Sequence, residues 1–568
     1  MSNNDFFVTD GCLIKYNGRE ENVTVPEYVT VVGPLAFSKN SLIKSVHLHD
    51  GIITVACGAF EDCETLESVR LPAGLKSIEP ATFKGCKKLK DISLPSSLTA
   101  ICNEAFMGCE DLRCALIPNS VGKIGEGAFE GCRGLFLVKL PERMVEVESF
   151  AFADCIGLKS IVTEGCDTLL GKYVFSGCES LKKIELTNSL DNLPDGTFRD
   201  CISLEHVKLP ADTRIIGRSA FEGCTSLQGL SVPDTVREIG DAAFKRCEKL
   251  RRIILPDGIK RLSRHSFSGC ADLYSLHLPS DTAVIEEGAF EGCRSLVYVE
   301  LPEGLRVISS HAFNECSSLK RVTLPSTTVT VGGFAFAGCA SLTEVILPDG
   351  LDSIDKFAFS DCRALESILV PDSVQRIDSF AFTDCRALRE AVLPSGLGMI
   401  STGLFSGCEA LRTVRLPECV RIIDSMAFYC CKSLAEVSLP PFLDSIGDGA
   451  FAECEALVSL ELPAKLRSLG SRVFKDCTSL ETITLSERFL EHAFPSALES
   501  VGEDVTEGCV SLTQLPEALM KSPKGKKSAH HRGVLRHVNV SALRDLNADR
   551  QKLILDTIAN LPTRDSDE

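Results

Sequence analysis

The sequence is rich in cysteine and contains scattered histidines, the residue types that most often bind metals or act as nucleophiles. It has 27 cysteines and 10 histidines, and nineteen of the cysteines recur at multiples of 23 residues, as Cys270 and Cys293 do. The other eight are Cys12, Cys57, Cys102, Cys114, Cys166, Cys419, Cys430 and Cys509. No two cysteines have the C-x-x-C spacing of zinc and redox motifs. We therefore predict no metal site and no cofactor.

The periodic cysteines have a simpler interpretation. A buried free cysteine acts as a small apolar residue with a weak S–H donor, and a fixed spacing favours that structural role. For the adjacent pair Cys430 and Cys431, we expect one inward and one outward thiol.

Sequence signatures of catalysis are lacking. We find no nucleophile elbow, zinc-binding helix or dinucleotide fingerprint. The segment Gly525–Ser528 has a glycine, two lysines and a serine, but no glycine lies at the upstream spacing of a phosphate-binding loop. His530, His531 and His537 have no cysteine or carboxylate close by to complete a metal site. The sequence therefore predicts a protein that is not an enzyme.

The charge and composition of the chain indicate which classes of partner it binds and in which compartment it lies. The formal net charge is −18, which argues against a general nucleic-acid binder. No run of apolar residues is long enough to span a membrane, and the first residues do not resemble a secretion signal. Together with the many thiols, these features predict a cytoplasmic protein.

Two segments are basic against this acidic background. Residues 521–537 hold six Lys and Arg and no Asp or Glu, and a weak nucleic-acid or membrane contact by this tail is one alternative. The other segment could bind an acidic or phosphate-bearing partner, but we favour a solvated charged face. Its residues are Lys245, Arg246, Lys249, Arg251, Arg252, Lys260, Arg261, Arg264 and His265.

A repeat of fixed length organises the chain. A phenylalanine stands at every 23rd residue from Phe37 to Phe474, which makes twenty copies without insertion or deletion. Counted from the Phe, Cys follows at plus 3, Leu at plus 6, Val or Ile at plus 9, Leu at plus 11, Pro at plus 12 and Ile at plus 18. Such a period predicts a solenoid, in which each coil buries its apolar residues against the next.

The pattern within one coil predicts its elements. Alternation at plus 9 and plus 11 indicates a strand, and the proline that follows ends it because proline cannot donate to a sheet. The next apolar pair, for example Leu351 and Ile354, is expected to face inward from the opposite wall. Stacking at about 4.8 Å per parallel strand predicts a rod about 100 Å long.

These residues resemble the BspA-like leucine-rich repeat, whose signature is similar to C-x-x-L-x-x-V-x-L-P-x-x-L-x-x-I-x-x-x-A-F. The resemblance extends from Val23 to about Leu515. It implies a β-rich repeat solenoid, a curved parallel-strand rod of about 20 to 21 coils that serves for binding. Several members of the family are surface adhesins, so an exported adhesin or effector is the alternative function.

We predict four segments along the chain. Residues 1–22 form a capping hairpin, 23–516 the solenoid, 517–538 a basic linker and 539–568 a helical tail with a short amphipathic helix near 541–560. Its apolar face holds Leu543, Leu546, Leu553, Ile558 and Leu561. The irregular residues near 160–190 indicate either a local bend or ligand-accommodating bulge or simple sequence drift, and we favour drift. Nine residues are inserted between Leu485 and Leu498, and they form either a surface knob or part of a cap.

The strand positions plus 8 and plus 10 should point outward, because plus 9 and plus 11 point inward. They form the strand face that leucine-rich repeats typically use, and an exposed apolar stripe there is typical of an interface. The alternative is that β-branched residues simply suit strands. We therefore predict a monomer that acts as a scaffold and binds an unidentified protein partner on this concave face. The predicted partner-binding residues are Arg252, Ile254, Tyr274, His277, Tyr298, Arg321, Ile346, Leu369 and Val392.

Overall fold

The coils of the repeat are built from short strands and turns. The computed structural model describes residues 5–142, 144–162, 169–186, 190–486, 498–516 and 519. They group into two compact units, one ending at Leu351 and one beginning at Asp352, and each unit is described by itself. In both units the chain forms a parallel-strand solenoid with two strands per coil, as the period predicts.

The first strand of a coil begins at plus 8 and usually ends at plus 10; the coil that begins at Phe428 has no strand at these positions. In unit 1 these strands are β3 (Asn22–Thr24), β5 (Ser45–His47), β7 (Ser68–Arg70), β9 (Asp91–Ile92), β11 (Cys114–Leu116), β13 (Leu137–Lys139), β15 (Ser160–Val162), β17 (Lys183–Glu185), β19 (His206–Lys208), β21 (Gly229–Ser231), β23 (Arg252–Ile254), β25 (Ser275–His277), β27 (Tyr298–Glu300), β29 (Arg321–Thr323) and β31 (Glu344–Ile346). In unit 2 they are β33 (Ser367–Leu369), β35 (Glu390–Val392), β37 (Thr413–Arg415), β40 (Ser459–Leu462) and β42 (Thr482–Leu485). We call this wall the first sheet of each unit.

The second strand of each coil carries the inward Ile or Val at plus 18. In unit 1 these strands are β4 (Val31–Val32), β6 (Thr54–Val55), β8 (Ser77–Ile78), β10 (Ala100–Ile101), β12 (Lys123–Ile124), β14 (Glu146–Val147), β16 (Leu169–Leu170), β18 (Asn192–Leu193), β20 (Ile215–Ile216), β22 (Glu238–Ile239), β24 (Arg261–Leu262), β26 (Val284–Ile285), β28 (Val307–Ile308) and β30 (Thr330–Val331). In unit 2 they are β32 (Ser353–Ile354), β34 (Arg376–Ile377), β36 (Met399–Ile400), β38 (Ile422–Ile423), β39 (Ser445–Ile446), β41 (Ser468–Leu469) and β43 (Ser500–Val501). Within each unit, paired strands of successive coils run parallel and in register, and we call this wall the second sheet.

The predicted hairpin forms and covers the first coil of unit 1. Strand β1 (Phe6–Thr9) pairs antiparallel with β2 (Cys12–Tyr16) across a turn at Asp10 and Gly11, both of which have positive φ. Strand β2 in turn pairs parallel with β4, so the hairpin extends the second sheet. Tyr16 lies 5.3 Å from Phe37 between ring centroids and places an aromatic ring at the end of the phenylalanine column.

The core of each unit is a column of stacked phenylalanine rings. Neighbouring rings lie 4.8 Å apart from Phe37 to Phe60 and 5.9 Å apart from Phe451 to Phe474, with nearly parallel planes. Each of these rings is at most 1% exposed, as the leucines at plus 6 are as well. The prediction that the repeated phenylalanines form a core, and not a ligand cage, is confirmed.

The periodic cysteines form a second column beside the rings. Each thiol is buried and donates to the carbonyl oxygen of the phenylalanine one coil earlier, as Cys270 does to Phe244 at 3.2 Å. Cys509 makes the same bond to Phe474 at 3.0 Å, so it takes the position of the repeated cysteine in the coil that follows the insertion. Cys431 is buried and Cys430 half-buried, which confirms one inward thiol and one turned outward.

Other predicted features lie outside the described residues. These are the segments 163–168 and 187–189 of the irregular region, the insertion at 487–497 and, apart from Leu519, the basic linker and the tail from residue 517 onward.

Within the described part of the chain, no helix is long and apolar enough to span a membrane.

Candidate partner-binding face

The outer face of the first sheet is formed by the two exposed residues of each short strand. In β23, β25 and β27 the middle residue is buried while the residues before and after it are exposed. This alternation follows from the pleat of a strand, because successive side chains point to opposite sides. It confirms that plus 8 and plus 10 point away from the core.

An aromatic and aliphatic cluster occupies this face in unit 1. Ile254 is 81% exposed, Tyr274 is 62% exposed and Tyr298 is 54% exposed. The register places Tyr298 opposite Ser275, the residue that follows Tyr274 along the chain. Gly229 and Ser231 of β21 stand opposite Arg252 and Ile254, so small side chains leave Ile254 open on that side. We call Ile254, Tyr274 and Tyr298 the tyrosine patch.

Charged groups surround the tyrosine patch. His277 Nδ1 lies 3.2 Å from a carboxylate oxygen of Glu300, and Arg321 Nε lies 2.7 Å from Glu344. Arg252 has no ion-pair partner among the described residues. The face therefore offers one free guanidinium next to exposed apolar groups, a combination found at the centres of protein interfaces.

The remaining predicted residues do not all belong to this cluster. Ile346 is 47% exposed on β31 of unit 1, two strands beyond Tyr298 in the first-sheet series. Leu369 (66% exposed) and Val392 lie opposite each other on β33 and β35 of unit 2, and Val392 is half-buried. Because the three belong to different units, the structure describes the predicted apolar stripe only as two separate pieces.

A second apolar cluster on the same face was not predicted. Leu116 is 68% exposed and Phe136 is 43% exposed, and the half-buried Leu137 stands opposite Cys114 on the neighbouring strand. Val162 follows two strands later at the outward position plus 10. The rule that plus 8 and plus 10 point outward would have found Leu116, Leu137 and Val162 if it had been applied to these coils.

The basic cluster between Lys245 and His265 does not form one patch. Arg252 lies on the outer face of the first sheet, and Arg261 lies on β24 of the second sheet. Lys245 and Arg246 belong to the turns between the two sheets. A coil carries these side chains on every side because the chain goes once around the core, which agrees with a solvated charge distribution.

A polar cluster lies in the turns between the two sheets of unit 1. Asn314 donates to Glu291 at 3.2 Å, and His265 Nδ1 lies 3.5 Å from the other oxygen of that carboxylate. Burial raises the pKa of Glu291, but the adjacent His265, the hydrogen bond from Asn314 and the nearby His311 outweigh it and hold the pKa below its usual value. The arrangement joins successive coils and does not converge on an open position for a substrate.

The buried cysteine thiols of the repeat also lack the features of reactive groups. Burial raises the pKa of Cys63 to about 11, and burial raises that of Cys293 to about 12. A thiolate, and not a thiol, is the nucleophile and metal ligand, so these groups are inert at neutral pH. Among the described residues, no group of three or more His, Cys, Asp or Glu side chains could hold a metal ion.

Comparison with known proteins agrees with this architecture. A family model described as the BspA type leucine rich repeat region, with six copies, matches residues 15–135, 100–228, 214–332, 306–423 and 399–518. No curated protein matches the sequence at a significant level.

Solved structures of bacterial proteins resemble the chain in fold. A leucine-rich repeat protein from Bacteroides ovatus is 22% identical, covers 89% of this chain and 94% of its own, and has a TM-score of 0.30. A leucine rich cell surface protein from Faecalibacterium prausnitzii is 23% identical, covers 73% and 94%, and has a TM-score of 0.28. A leucine rich repeat protein from T. pallidum is 24% identical over 44% of this chain and 90% of its own, with a TM-score of 0.27.

Proposed function

Since the chain belongs to the BspA-type leucine-rich repeat family, we propose that it is a non-catalytic scaffold that binds a protein partner on the outer face of the first sheet. By resemblance to other leucine-rich repeats, this is the concave face. The supporting observation is the tyrosine patch, three large side chains exposed by 54–81% on a fixed array of strands. Exposed tyrosines beside an arginine are typical of the residues that dominate binding energy.

The fold explains why such a face binds without a large entropic cost. Strand β25 pairs with β27, and buried middle residues such as Leu276 and Val299 fix both strands to the core. The backbone therefore does not need to become ordered when a partner docks, and tyrosine loses only two rotatable bonds. Covering Ile254 alone is worth about 1.5–3 kcal/mol.

The test is a comparison of baits in reducing cell lysate. The full chain is compared with the double variant Ile254→Glu, Tyr298→Glu and with the control Ile53→Glu, in which an isoleucine of the second-sheet side with 72% exposure is changed. Partner capture should fall at least tenfold with the double variant, because two apolar contacts are lost and two carboxylates must lose water when the partner docks. The control should capture the same partner as the full chain.

Equal capture by all three baits would refute a binding role for the tyrosine patch. Loss of capture with Ile53→Glu, but not with the double variant, would move the binding face to the second sheet. Because all three substitutions replace exposed side chains, circular dichroism should give the same spectrum for each bait.

The proposed compartment is the reducing cytoplasm, and export as a surface protein is the alternative. The free cysteines of the described residues support the first, since exposed Cys57 and Cys419 are unpaired. Fractionation of the source cells distinguishes the two, because an exported protein would be labelled on intact cells by an impermeant amine reagent.

A further inference from the structure

The two units differ in how their terminal coils are covered. In unit 1 the hairpin lies over the first coil, and Leu13, Tyr16, Val23 and Val25 are all at most 4% exposed. A solenoid needs such a cover because its outermost coil otherwise exposes the apolar core. The equivalent cover is missing from the described part of unit 2.

The last described coil of unit 2 is residues 498–516, which we call the end coil. Its strand β43 pairs with β41, with Val501 opposite Leu469, and it is the outermost strand of its sheet among the described residues. One coil earlier the inward residues are at most 1% exposed: Leu466, Leu469, Cys477, Leu480 and Ile483. The corresponding residues of the end coil are all half-buried: Leu498, Val501, Cys509, Leu512 and Leu515.

The phenylalanine column also stops at this point. Phe474 donates its backbone N–H to Val505, as Phe451 does to Val473, so Thr506 stands at the position of the next phenylalanine. Val510 is 82% exposed on the same coil. The end coil thus presents a partly open apolar surface of aliphatic side chains.

The end coil also carries several acidic side chains, which we call the acidic rim. Residues 498–516 contain four carboxylates and no Lys or Arg. Two cations of the preceding coil pair with two of these carboxylates: Lys475 lies 3.5 Å from Glu507, and Arg472 lies 3.8 Å from Asp504 and 4.0 Å from Glu507. No ion pair is found for Glu499 and Glu503 among the described residues. The chain that follows has the opposite character, since residues 521–537 hold six Lys and Arg and no acid.

We propose that the tail of this same chain covers the end coil. The apolar face predicted for the helix near 541–560 packs on Leu498, Val501, Leu512 and Leu515, while the basic segment 521–537 lies along the acidic rim. Complementary charge supports this occupant, and so does the position of the tail, which follows the end coil directly.

The linker length favours the tail over a free partner. A random-coil chain of the length from 517 to 540 would have a root-mean-square span of roughly 25–30 Å, enough to lead back across one coil. Such a tether gives an effective concentration on the order of millimolar, so even a weak apolar contact is occupied most of the time.

The test is hydrogen exchange of the end coil, measured by mass spectrometry on the full chain. The first variant, Leu546→Asp, Leu553→Asp, places carboxylates on the apolar face of the tail. The matched control, Ala548→Asp, Lys552→Asp, places them on its opposite face. A third chain ends at Pro516.

The proposal predicts that amides 498–516 exchange about tenfold or more faster in the first variant and in the shortened chain, since covering one leucine is worth at least that factor. The control should match the full chain. Peptides from 60–140, which lie in unit 1, report whether a variant has lost its fold.

Three outcomes would overturn the proposal. One is unchanged exchange of the end coil in the shortened chain. Another is faster exchange only after Phe489→Ser, Phe494→Ser, which would identify the segment 487–497 as the cover. The third is protection that disappears on dilution, which would identify a second copy as the occupant.

Discussion

Removal of one ring from the phenylalanine column should destabilise unit 1 strongly. Phe290 is fully buried, and its ring lies 5.5 Å from that of Phe267 and 5.2 Å from that of Phe313. A buried Phe→Ala substitution costs about 3–5 kcal/mol, and each lost stacked pair accounts for about 0.5–1.5 kcal/mol of such an effect. Because the ring of Phe290 is stacked on both sides, we expect the upper part of the range, about 4–5 kcal/mol.

The control is Phe136→Ala, in which the lost ring is 43% exposed and stands on the first sheet of the same unit. That change should cost about 1 kcal/mol or less. The assay is native-state hydrogen exchange, because long repeat arrays unfold in parts and a single melting temperature can miss a local opening. The effect should be largest in the coils from 267 to 313, since each coil contacts only its neighbours.

The reasoning is refuted if Phe290→Ala and Phe136→Ala lower the free energy of opening by similar amounts. It is also refuted if the loss at Phe290 spreads evenly over unit 1, because the core would then not be built from nearest-neighbour contacts.

Three further predictions concern single positions. Burial raises the pKa of Cys63 to about 11. The stability that the buried neutral thiol contributes is therefore complete below about pH 8.5 and is lost as the pH rises toward 11. Cys63→Ala should reduce this alkaline loss of stability, measured by denaturant titration at several pH values. Gly223 has a φ of +76°, and a Cβ at this position would collide with the Asp200 carboxylate. Gly223→Ala should therefore lower the free energy of unfolding by about 1–3 kcal/mol. In a double-mutant cycle, a smaller cost in an Asp200→Gly background would show that the collision is responsible. The Glu291 carboxylate has a lowered pKa in the folded protein. Its stabilising effect is therefore present above its unfolded pKa near 4.3 and is lost as the pH falls through the folded value. An acid-unfolding curve of Glu291→Gln identical to that of the unchanged protein would contradict this prediction.

The repeat period made most of the fold predictable, and the reasons can be stated residue by residue. Phe37 and its nineteen successors recur without slippage, which leaves one stacking arrangement that buries them all. Strand alternation then fixes Leu276 as inward and His277 as outward, as the structure has them. The same rule predicts from sequence alone that Ile254 and Tyr298 point outward, as the structure has them.

The backbone conformation of the turns between strands could not be predicted from the repeat period. The residue two positions before a repeated phenylalanine can be bulky and still have a positive φ, as Phe334 and Phe357 do. Conformational propensity alone would favour glycine at this position. The stacking of coils imposes this conformation on whichever residue is present. Tyr16 at the end of the ring column lies outside the period of 23, so no repeat pattern could identify it.

The candidate site was predictable only as a set of outward positions. Sequence spacing identifies which residues face solvent, but it gives no measure of the exposure that separates Leu369 from the half-buried Val392. It also does not show that the cations from Lys245 to His265 are distributed around a coil. The positions of these cations around the coil depend on the turns and on both sheets, which the spacing of charged residues does not reveal.

The proposed binding face is tested most directly by hydroxyl-radical footprinting of the full chain with a partner captured by it. Tyr274 and Tyr298 are the reporters, and Tyr28, which is 52% exposed on a turn outside the face, is the internal control. The account predicts that oxidation of Tyr274 and Tyr298 slows several-fold on binding while that of Tyr28 does not change. Unchanged oxidation of both reporters in the saturated complex would contradict the account, because the partner would then bind elsewhere on the chain.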